Sequence, residues 1–505
     1  MKTYDVAVVG AGHNGLACAA LLAKGGFSVI VIERAEQIGG AAVSRRDLWP
    51  GYTISAASYV CSLLDPWLVK ELDLRSHGYQ AYRKDPASFT PLADGRSLLL
   101  GRDDAANARE IGAFDKADVG SFFAFERRAG QLGLALFETF SDEAPRMDGF
   151  ASDVHSDLRE SAAALVERYV QTPVLQATLA TDGLIGTNLG PRDAGTGYVL
   201  AHHYAGRAMG VQGAWGFVRG GMGAISTALA SAAQKYGAEI VTDKRVARIE
   251  LRDGVARALV LDDGTEIVAR ALASNAHPQT TFLDLVGRDS LDAAFVKKLD
   301  AWKTNGASLK LNLALGELPN FTARPGAAPQ PHHRATIHVA PSIDYLQQSY
   351  EDGRTKGESD EPMLECFMQT PTDPSLAPPG KHILSIFAQY FPYDRADGWT
   401  AATREAAAHK IVALLARYAP NLPGAIEDRQ LLAAPDLEDC FGLVGGNIFH
   451  GELLPGQIYE DRFATSTPVP GLYLCGSGAH PGGCVSGFPG KRAATAIAAD
   501  LLAPA

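Results

Sequence analysis

The chain has 505 residues, and 46 lysines and arginines against 57 aspartates and glutamates give it a formal net charge of −11. Hydrophobic residues make up 46 % of the chain, which excludes disorder as its dominant state, because disordered chains have too few apolar groups. The acidic balance, without any run rich in lysine and arginine, excludes nucleic acid as a partner.

The cysteines and the start of the chain indicate the compartment. The six cysteines include no C-x-x-C pair and no spacing typical of a metal site, so we expect neither a dithiol redox centre nor a bound metal. The polar start, Met1–Asp5, leads into an apolar strand without a cleavage pattern, and no run of about 18 apolar residues occurs. We therefore expect a reduced, cytoplasmic protein, and peripheral contact with a membrane stays open.

A dinucleotide-binding fingerprint opens the chain. Residues 6–9 form a short apolar run typical of a buried strand, residues 10–15 read G-A-G-H-N-G, and residues 16–24 follow a helical pattern. A second buried strand at 29–32 ends in Glu33. This order of strand, glycines, helix and strand predicts a Rossmann-type unit that binds the pyrophosphate of a dinucleotide.

Each position of the fingerprint has a physical role. Gly10 permits the tight turn, Gly12 lets the backbone approach a pyrophosphate, and Gly15 lets helix and strand pack closely. The N-terminus of the helix offers free N–H groups to the phosphates. Glu33 can accept hydrogen bonds from ribose hydroxyls, and because it is not an arginine, a 2′-phosphate is disfavoured.

The residues after the second strand favour FAD over NAD. The pattern E-R-x-x-x-x-G-G, from Glu33 to Gly40, resembles the extended fingerprint of two-domain flavoproteins of the glutathione-reductase and amine-oxidase superfamily. In that group the second glycine pair runs beside the FAD pyrophosphate and ribityl chain. The resemblance implies that Arg34 and either Arg45 or Arg46 join the cofactor site.

The middle of the chain is predicted in two parts. Residues 104–210 are largely helical in pattern, with helices expected over 117–140 and 153–169. A glycine-rich passage at 183–216 reads as a loop. After a helix that ends at Lys235, strands at 239–241, 246–249 and 256–261 predict a small β-meander.

The C-terminal region repeats the design of the fingerprint. Residues 471–476 form a strand that runs into glycines, Pro481-Gly482-Gly483 follows, and an alanine-rich helix runs toward Leu502. Such a glycine-rich turn before a helix is again a cradle for a cofactor. The simplest interpretation is one FAD domain assembled from both ends of the chain.

The block G-x-G-x-H-P-G-G, from Gly476 to Gly483, resembles the C-terminal signature of phytoene-desaturase-like flavoproteins. Further similarity lies at 220–223, 274–276 and 445–451, and the whole set is most similar to the branch of pyridine nucleotide-disulphide oxidoreductase domain-containing protein 2. The resemblance implies that the isoalloxazine lies against this block, where a helix N-terminus can stabilise negative charge on the reduced ring.

The fingerprint and the resemblance together predict the cofactor site. Ser477 stands where many relatives carry an acid, and the resemblance implies that the backbone of Val246 meets the adenine. The complete set of predicted FAD-binding residues is Gly10, Gly12, His13, Asn14, Gly15, Glu33, Arg34, Gly39, Gly40, Ala41, Ala42, Arg45, Val246, Gly476, Ser477, Gly482, Gly483, Cys484 and Val485.

We therefore expect an α/β fold, a two-domain FAD flavoprotein of the glutathione-reductase/amine-oxidase type. Its Rossmann-like FAD domain is discontinuous, with residues 1–75, 212–285 and 445–505. An α+β substrate domain comprises residues 76–211, which are largely helical, and 286–444.

No catalytic triad, zinc-protease motif or pair of carboxylates in a family context appears. His480 and His450 are candidate catalytic residues, either as proton acceptors or as structural groups. His202, His203 and Lys310 are candidates for contact with substrate, with an ordinary hydrogen-bonding role as the alternative for the histidines and an exposed strand position for Lys310. Flavin N5 can itself take a hydride, so the main reactive centre is the cofactor.

The leading function is desaturation of a C–C bond in a small, apolar, isoprenoid or lipid-like substrate. Because only one dinucleotide fingerprint is visible, electrons should pass to oxygen, a quinone or another protein. The alternatives are a flavin amine or alcohol oxidase, a redox-neutral isomerase on reduced FAD, and a non-catalytic escort protein for prenyl or lipid groups. The intact glycine blocks argue against the escort protein, and the oligomeric state stays open.

Overall fold

The N-terminal strand stands in the middle of a seven-stranded sheet. In the computed structural model, which describes residues 3–503, Thr3–Val9 pairs in parallel with Val29–Ile32 on one side and with Glu266–Ser274 on the other. Val6–Val9 and Val29–Ile32 are buried throughout. Their apolar runs do not alternate with polar residues because both faces of the sheet are covered.

The first and the last helix of the chain pack together on this first sheet. The helix His13–Lys24 packs against Gly223–Lys235 and against Phe488–Leu502. The contact with the last helix is close, since a Cβ atom on Gly490 would lie 2.1 Å from the carbonyl oxygen of Asn14. Small residues on both helices therefore allow the backbones of the first and the last helix to approach each other closely.

The prediction of a β-meander is wrong for one of its strands. Val246–Arg252, Val255–Leu261 and Glu266–Ser274 form the antiparallel meander, but Glu239–Val241 pairs in parallel with Val29–Ile32 at the opposite edge. The preceding helix carries this strand across the sheet, as a crossover between parallel strands requires. Leu472–Leu474 completes the first sheet beside Glu266–Ser274.

A second seven-stranded sheet forms one wall of the candidate site. All eight residues of its strand Ser308–Leu315 are buried, including the polar Ser308, Lys310 and Asn312 that alternate with leucines. Its strands, in spatial order, are Ile426–Leu432, Ser308–Leu315, His382–Gln389, Met363–Phe367, Thr336–Val339, Ser88–Pro91 and Ser97–Leu100.

The helical layer differs from the sequence prediction at two places. The helix expected over 153–169 is broken into Ser152–Arg159 and Ala162–Glu167, because Ser161 caps the second helix by accepting a hydrogen bond from the Ala164 N–H at 3.1 Å. The passage expected to be a loop contains the helix Thr196–Tyr204. That helix packs against the long helix Asp118–Thr139.

The remaining elements connect these layers. The boundaries of the two domains stay a prediction. Within residues 3–503 no helix is both long and apolar enough to cross a membrane. The other helices are Pro66–Glu71, Asp104–Gly112, Pro173–Ala180, Ala293–Asp300, Ile343–Lys356, Ala401–Ala416, Leu422–Ala425 and Ala434–Phe441, with a π-helix at Thr280–Gly287 and short 3-10 turns at Met147–Gly149, Thr181–Gly183, Arg288–Ser290, Pro331–Arg334, Pro374–Leu376 and Tyr459–Asp461. Two small strand pairs are Ser44–Arg45 with Ile54–Ser55, and Ala81–Arg83 with Gly216–Val218.

The close contact between the helices Asp118–Thr139 and Thr196–Tyr204 predicts a position where no side chain fits. A Cβ atom on Gly133 would lie 2.3 Å from the carbonyl oxygen of Tyr204, whereas one on Gly130, in the same helix, meets nothing within 4 Å. We expect Gly133→Ala to lower the free energy of unfolding by about 1–3 kcal/mol through overpacking. Gly130→Ala should raise it by up to about 1 kcal/mol through helix propensity. Calorimetric melting of both variants checks this, and equal melting temperatures would contradict the packing.

Candidate active site

A cavity of about 490 Å³ joins the two sheets. It begins at the fingerprint turn, where Gly12 and Asn14 line it, passes the C-terminal block at Ser477 and Val485, and reaches Lys310 on the second sheet. Both ends of the chain and the second sheet therefore contribute to one continuous space.

The fingerprint turn presents bare backbone to this cavity. The helix His13–Lys24 begins at Gly12 without a side-chain cap, so its first N–H groups stay available to an anion. Gly10 has a φ of +90°, in the left-handed region that favours glycine. A Cβ atom on Gly12 would lie 2.6 Å from Asn275 Nδ2, and one on Gly15 would lie 2.3 Å from the carbonyl oxygen of Gly10. The cradle therefore fits the pyrophosphate of FAD.

Asn14 links this turn to the C-terminal block. Its side chain is buried, and its Nδ2 donates to Ser477 Oγ at 3.2 Å. Its Oδ1 accepts from the Gly487 N–H at 3.1 Å, at the start of the last helix. One amide side chain thereby holds both glycine-rich turns against the same cavity.

The wall formed by the C-terminal block has an unusual backbone. Cys484 has a φ of +77° and Val485 a φ of +53°, and both line the cavity. A β-branched residue in the left-handed region is strained, and such strain persists where surrounding structure holds it at a functional site. Gly476, Gly482 and Gly483 lie behind this wall, and a Cβ atom on Gly483 would lie 2.6 Å from the Phe449 ring.

The predicted FAD-binding residues fall into two groups. Those that line the cavity are Gly12, His13, Asn14, Gly39, Gly40, Ala41, Ala42, Ser477, Cys484 and Val485. Those that the structure places outside its lining are Gly10, Gly15, Glu33, Arg34, Arg45, Val246, Gly476, Gly482 and Gly483. For both groups, contact with FAD stays a prediction.

The charged members of the second group have protein partners. Glu33 Oε2 accepts from the Ala11 N–H at 2.7 Å, and its Oε1 accepts from the Ala35 N–H at 2.9 Å, so this carboxylate supports the turn itself. Arg34 donates to the carbonyl oxygen of Asp439 at 3.0 Å. Arg45 pairs with Asp47, with its Nε 2.7 Å from Oδ1.

The two histidines proposed for catalysis lie in different places. His450 lines the cavity, and burial, reinforced by the charge of Arg462, lowers its pKa to about 3, which makes it a neutral group at physiological pH. His480 is buried away from the lining, with its Nε2 3.1 Å from the carbonyl oxygen of Thr139. His480 therefore ties the C-terminal block to the long helix.

The candidates for substrate contact are also divided. His202 and His203 lie in the helix Thr196–Tyr204 rather than in a loop, and only His203, stacked on Trp215, reaches the cavity. Lys310 is buried rather than exposed, because its strand is covered on both faces. Its Nζ donates to Ser385 Oγ at 2.5 Å and lies 3.8 Å from the centre of the Tyr59 ring. Burial lowers the pKa of Lys310 well below its usual range.

Arg462, which the sequence prediction missed, fastens the loops behind the cavity wall. Its buried guanidinium donates to five carbonyl oxygens, those of Phe449, Glu452, Gln457, Ser477 and Ala479. Burial lowers its pKa to about 10, so it stays charged. No local pattern marks an arginine that satisfies carbonyls from two loops.

The cavity lining also carries ionisable side chains that the sequence prediction missed. We call Lys84, Glu126, Asp182, His338 and Glu365 the polar wall; all five line the cavity. Burial raises the pKa of both Glu126 and Asp182 to about 7 and lowers that of Lys84 to about 8. Asn275, at the carboxyl end of a parallel strand, is a further missed lining residue, and its position after the strand was the available signal.

Comparisons with known proteins agree with this geometry. A family model described as flavin containing amine oxidoreductase matches residues 15–498. Pyridine nucleotide-disulfide oxidoreductase domain-containing protein 2 of Mus musculus is 40% identical, with 99% of this chain and 94% of that protein covered. Phytoene desaturase (lycopene-forming) of a Paracoccus species is 24% identical over 97% of this chain and 96% of that protein. The resemblance to phytoene-desaturase-like flavoproteins is confirmed.

The fold comparison points the same way. Putrescine oxidase bound to putrescine superposes with a TM-score of 0.65 at 16% identity, over 100% of both chains. This likeness confirms the α/β, two-domain flavoprotein fold, and the cofactor is FAD. The chain belongs to the flavin containing amine oxidoreductase family, and it is an FAD-dependent oxidoreductase.

Proposed function

We propose that this oxidoreductase desaturates a C–C bond in an apolar, isoprenoid-like or lipid-like segment of its substrate. When bound, FAD supplies the acceptor for the hydride, so the protein has to place the substrate and exclude water. The observation that carries the proposal is one cavity lined by the fingerprint turn, the C-terminal block and an apolar section.

The apolar section suits a hydrocarbon chain. The side chains of this section are Tyr59, Phe367, Phe387, Ile448 and Phe449, and the ammonium groups of Lys310 and Lys84 lie over two of its rings. Aromatic rings bury large apolar areas in a fixed arrangement, and Tyr59 lies 4.4 Å from Phe367 between ring centres. The similarity to a protein named phytoene desaturase supports the same reaction class.

Oxidation of an amine or an alcohol is the second candidate. The carboxyl groups of Glu126 and Asp182 line the same cavity, and carboxyl groups can hold the polar end of an amine or an alcohol.

As parts of the proposal, electrons pass on to oxygen, a quinone or another protein. The enzyme works in the cytoplasm, with or without contact with a membrane surface.

Anaerobic reduction of the flavin tests the reaction class. The yellow, FAD-loaded protein is mixed without oxygen with isoprenoids, acyl compounds, amines and alcohols, and the flavin absorbance is followed. We expect bleaching with an isoprenoid or lipid-like compound and a product with one more C=C bond by mass spectrometry. Bleaching by amines or alcohols alone would establish the second candidate and contradict desaturation.

The fingerprint turn gives a separate prediction. We expect Gly12→Val to abolish retention of FAD, because a side chain there would fill the space of the pyrophosphate. The ratio of flavin to protein absorbance after purification measures it. Gly120→Val is the matched control, since a Cβ atom there meets nothing within 4 Å. A Gly12→Val protein that keeps stoichiometric FAD would show that the cofactor lies elsewhere.

A further inference from the structure

The polar wall holds more hydrogen-bond acceptors than donors. Glu365 Oε1 lies 3.1 Å from His338 Nε2, and Tyr59 donates to Glu365 Oε2 at 3.4 Å. Burial alone would raise the pKa of Glu365, but the hydrogen bond from His338 and nearby positive charge outweigh it, and this pKa is lowered. The carboxylate is therefore ionised and can only accept.

This pairing orients the His338 ring. Because the Glu365 carboxylate can only accept, Nε2 of His338 carries a proton and donates to it. His338 is only 5% exposed and lines the cavity, and its Nδ1 has no partner within residues 3–503. A buried polar atom without a partner costs about 1–3 kcal/mol, so this position favours a polar group on the ligand.

The two remaining carboxyl groups show the same deficit. Tyr204 donates to Glu126 Oε1 at 2.7 Å, and no other described side chain donates to Glu126. Asp182 accepts no hydrogen bond from any residue between 3 and 503, although it faces the cavity. The Lys84 ammonium donates to the Thr336 hydroxyl and lies 5.1 Å from the centre of the Phe367 ring.

We propose that the polar wall binds a hydrogen-bond-donating end group of the substrate, an amine or an alcohol, through Asp182 with Glu126 and His338. The apolar part of the same molecule then lies in the aromatic section, toward the flavin. This inference rests on the proposed function, because it assigns the far end of the molecule whose apolar segment reacts. Asp182 and the His338 Nδ1 atom have no hydrogen-bond partner among the described residues, and Glu126 accepts only from Tyr204, so a polar end group placed here gains hydrogen bonds that the protein does not supply.

A carboxylate end group is the opposite possibility, and the cavity contains a place for it. Arg83 and Arg102 line the cavity nearer to solvent, and burial together with the charge of Arg102 lowers the pKa of Arg83. An acid would bind there rather than at the polar wall. A donor-binding polar wall therefore predicts tighter binding of an amine or alcohol than of an acid, and a carboxylate site at the arginines predicts the reverse.

A series of molecules with the same chain tests the end group. Octylamine, octan-1-ol, octanoate and 1-methoxyheptane are titrated calorimetrically into the FAD-loaded protein; the ether is an isomer of the alcohol that lacks the donor. We expect at least one donor to bind about tenfold more tightly than the ether, as for one hydrogen bond to a charged group. The amine and alcohol titrations show which donor the wall prefers.

Asp182→Asn links the preference to the wall. We expect it to remove most of the tenfold preference and to leave the affinity for 1-methoxyheptane unchanged, and Glu126→Gln is a second variant in case the first does not fold. Asp104→Asn, at an exposed position lining the same cavity, is the matched control and should keep the preference.

Two kinds of result would overturn the proposal. Equal affinity for the donors and the ether, or tightest binding of octanoate, contradicts a donor-binding wall, and so does an unchanged preference in both Asp182→Asn and Glu126→Gln. The titrations need no turnover, so absence of flavin bleaching by lipid-like compounds would contradict the proposed desaturation alone. Flavin absorbance of each variant shows that the cofactor is still bound.

Discussion

The hydrogen bonds of the Asn14 side chain are the constraint on which the cofactor site depends. They join the first glycine-rich turn to a block that lies 463 residues further along the chain, at Ser477, and to the start of the last helix at Gly487. Because the amide is buried, its donor and acceptor both have to be satisfied inside the protein. These bonds hold the two glycine-rich turns, one from each end of the chain, beside the same cavity.

The close packing of helices supports the same junction. Gly490 lets the last helix approach the backbone of Asn14, and Arg462 then ties the loops around Phe449 and Ser477 to each other. A buried guanidinium is tolerated only where its donors are satisfied, and here backbone carbonyls meet that need. The strained residues Cys484 and Val485 lie on the wall that these contacts hold in place.

The sequence predicted the cofactor half well because its signals are local. A continuous apolar run such as Val6–Val9 identifies a strand covered on both faces, and glycines at fixed spacing identify a turn that approaches phosphate. The helix that contains His202 and His203 was missed because the glycines around it favour a loop. Glu239–Val241 was assigned to the wrong neighbour because strand order depends on a crossover, which short windows do not contain.

The substrate half could not be predicted because it has no local signal. Lys84, Glu126, Asp182, His338 and Glu365 come from separate segments, and each stands in an ordinary pattern of its own strand, helix or turn. Only the fold brings their side chains to one cavity. Burial then gives Asp182 and Glu126 pKa values of about 7, which exposed carboxyl groups do not have.

The two halves of the cavity therefore have different parts in function. A glycine cradle that binds FAD is compatible with many reactions, since the cofactor carries the chemistry. Choice of substrate then depends on the second sheet and the helical layer, which supply Lys310, the aromatic section and the polar wall. An amphipathic substrate accounts for the presence of both an apolar section and polar groups with few partners in one cavity, whereas a pure hydrocarbon would leave Asp182 and the His338 Nδ1 atom without a hydrogen-bond partner.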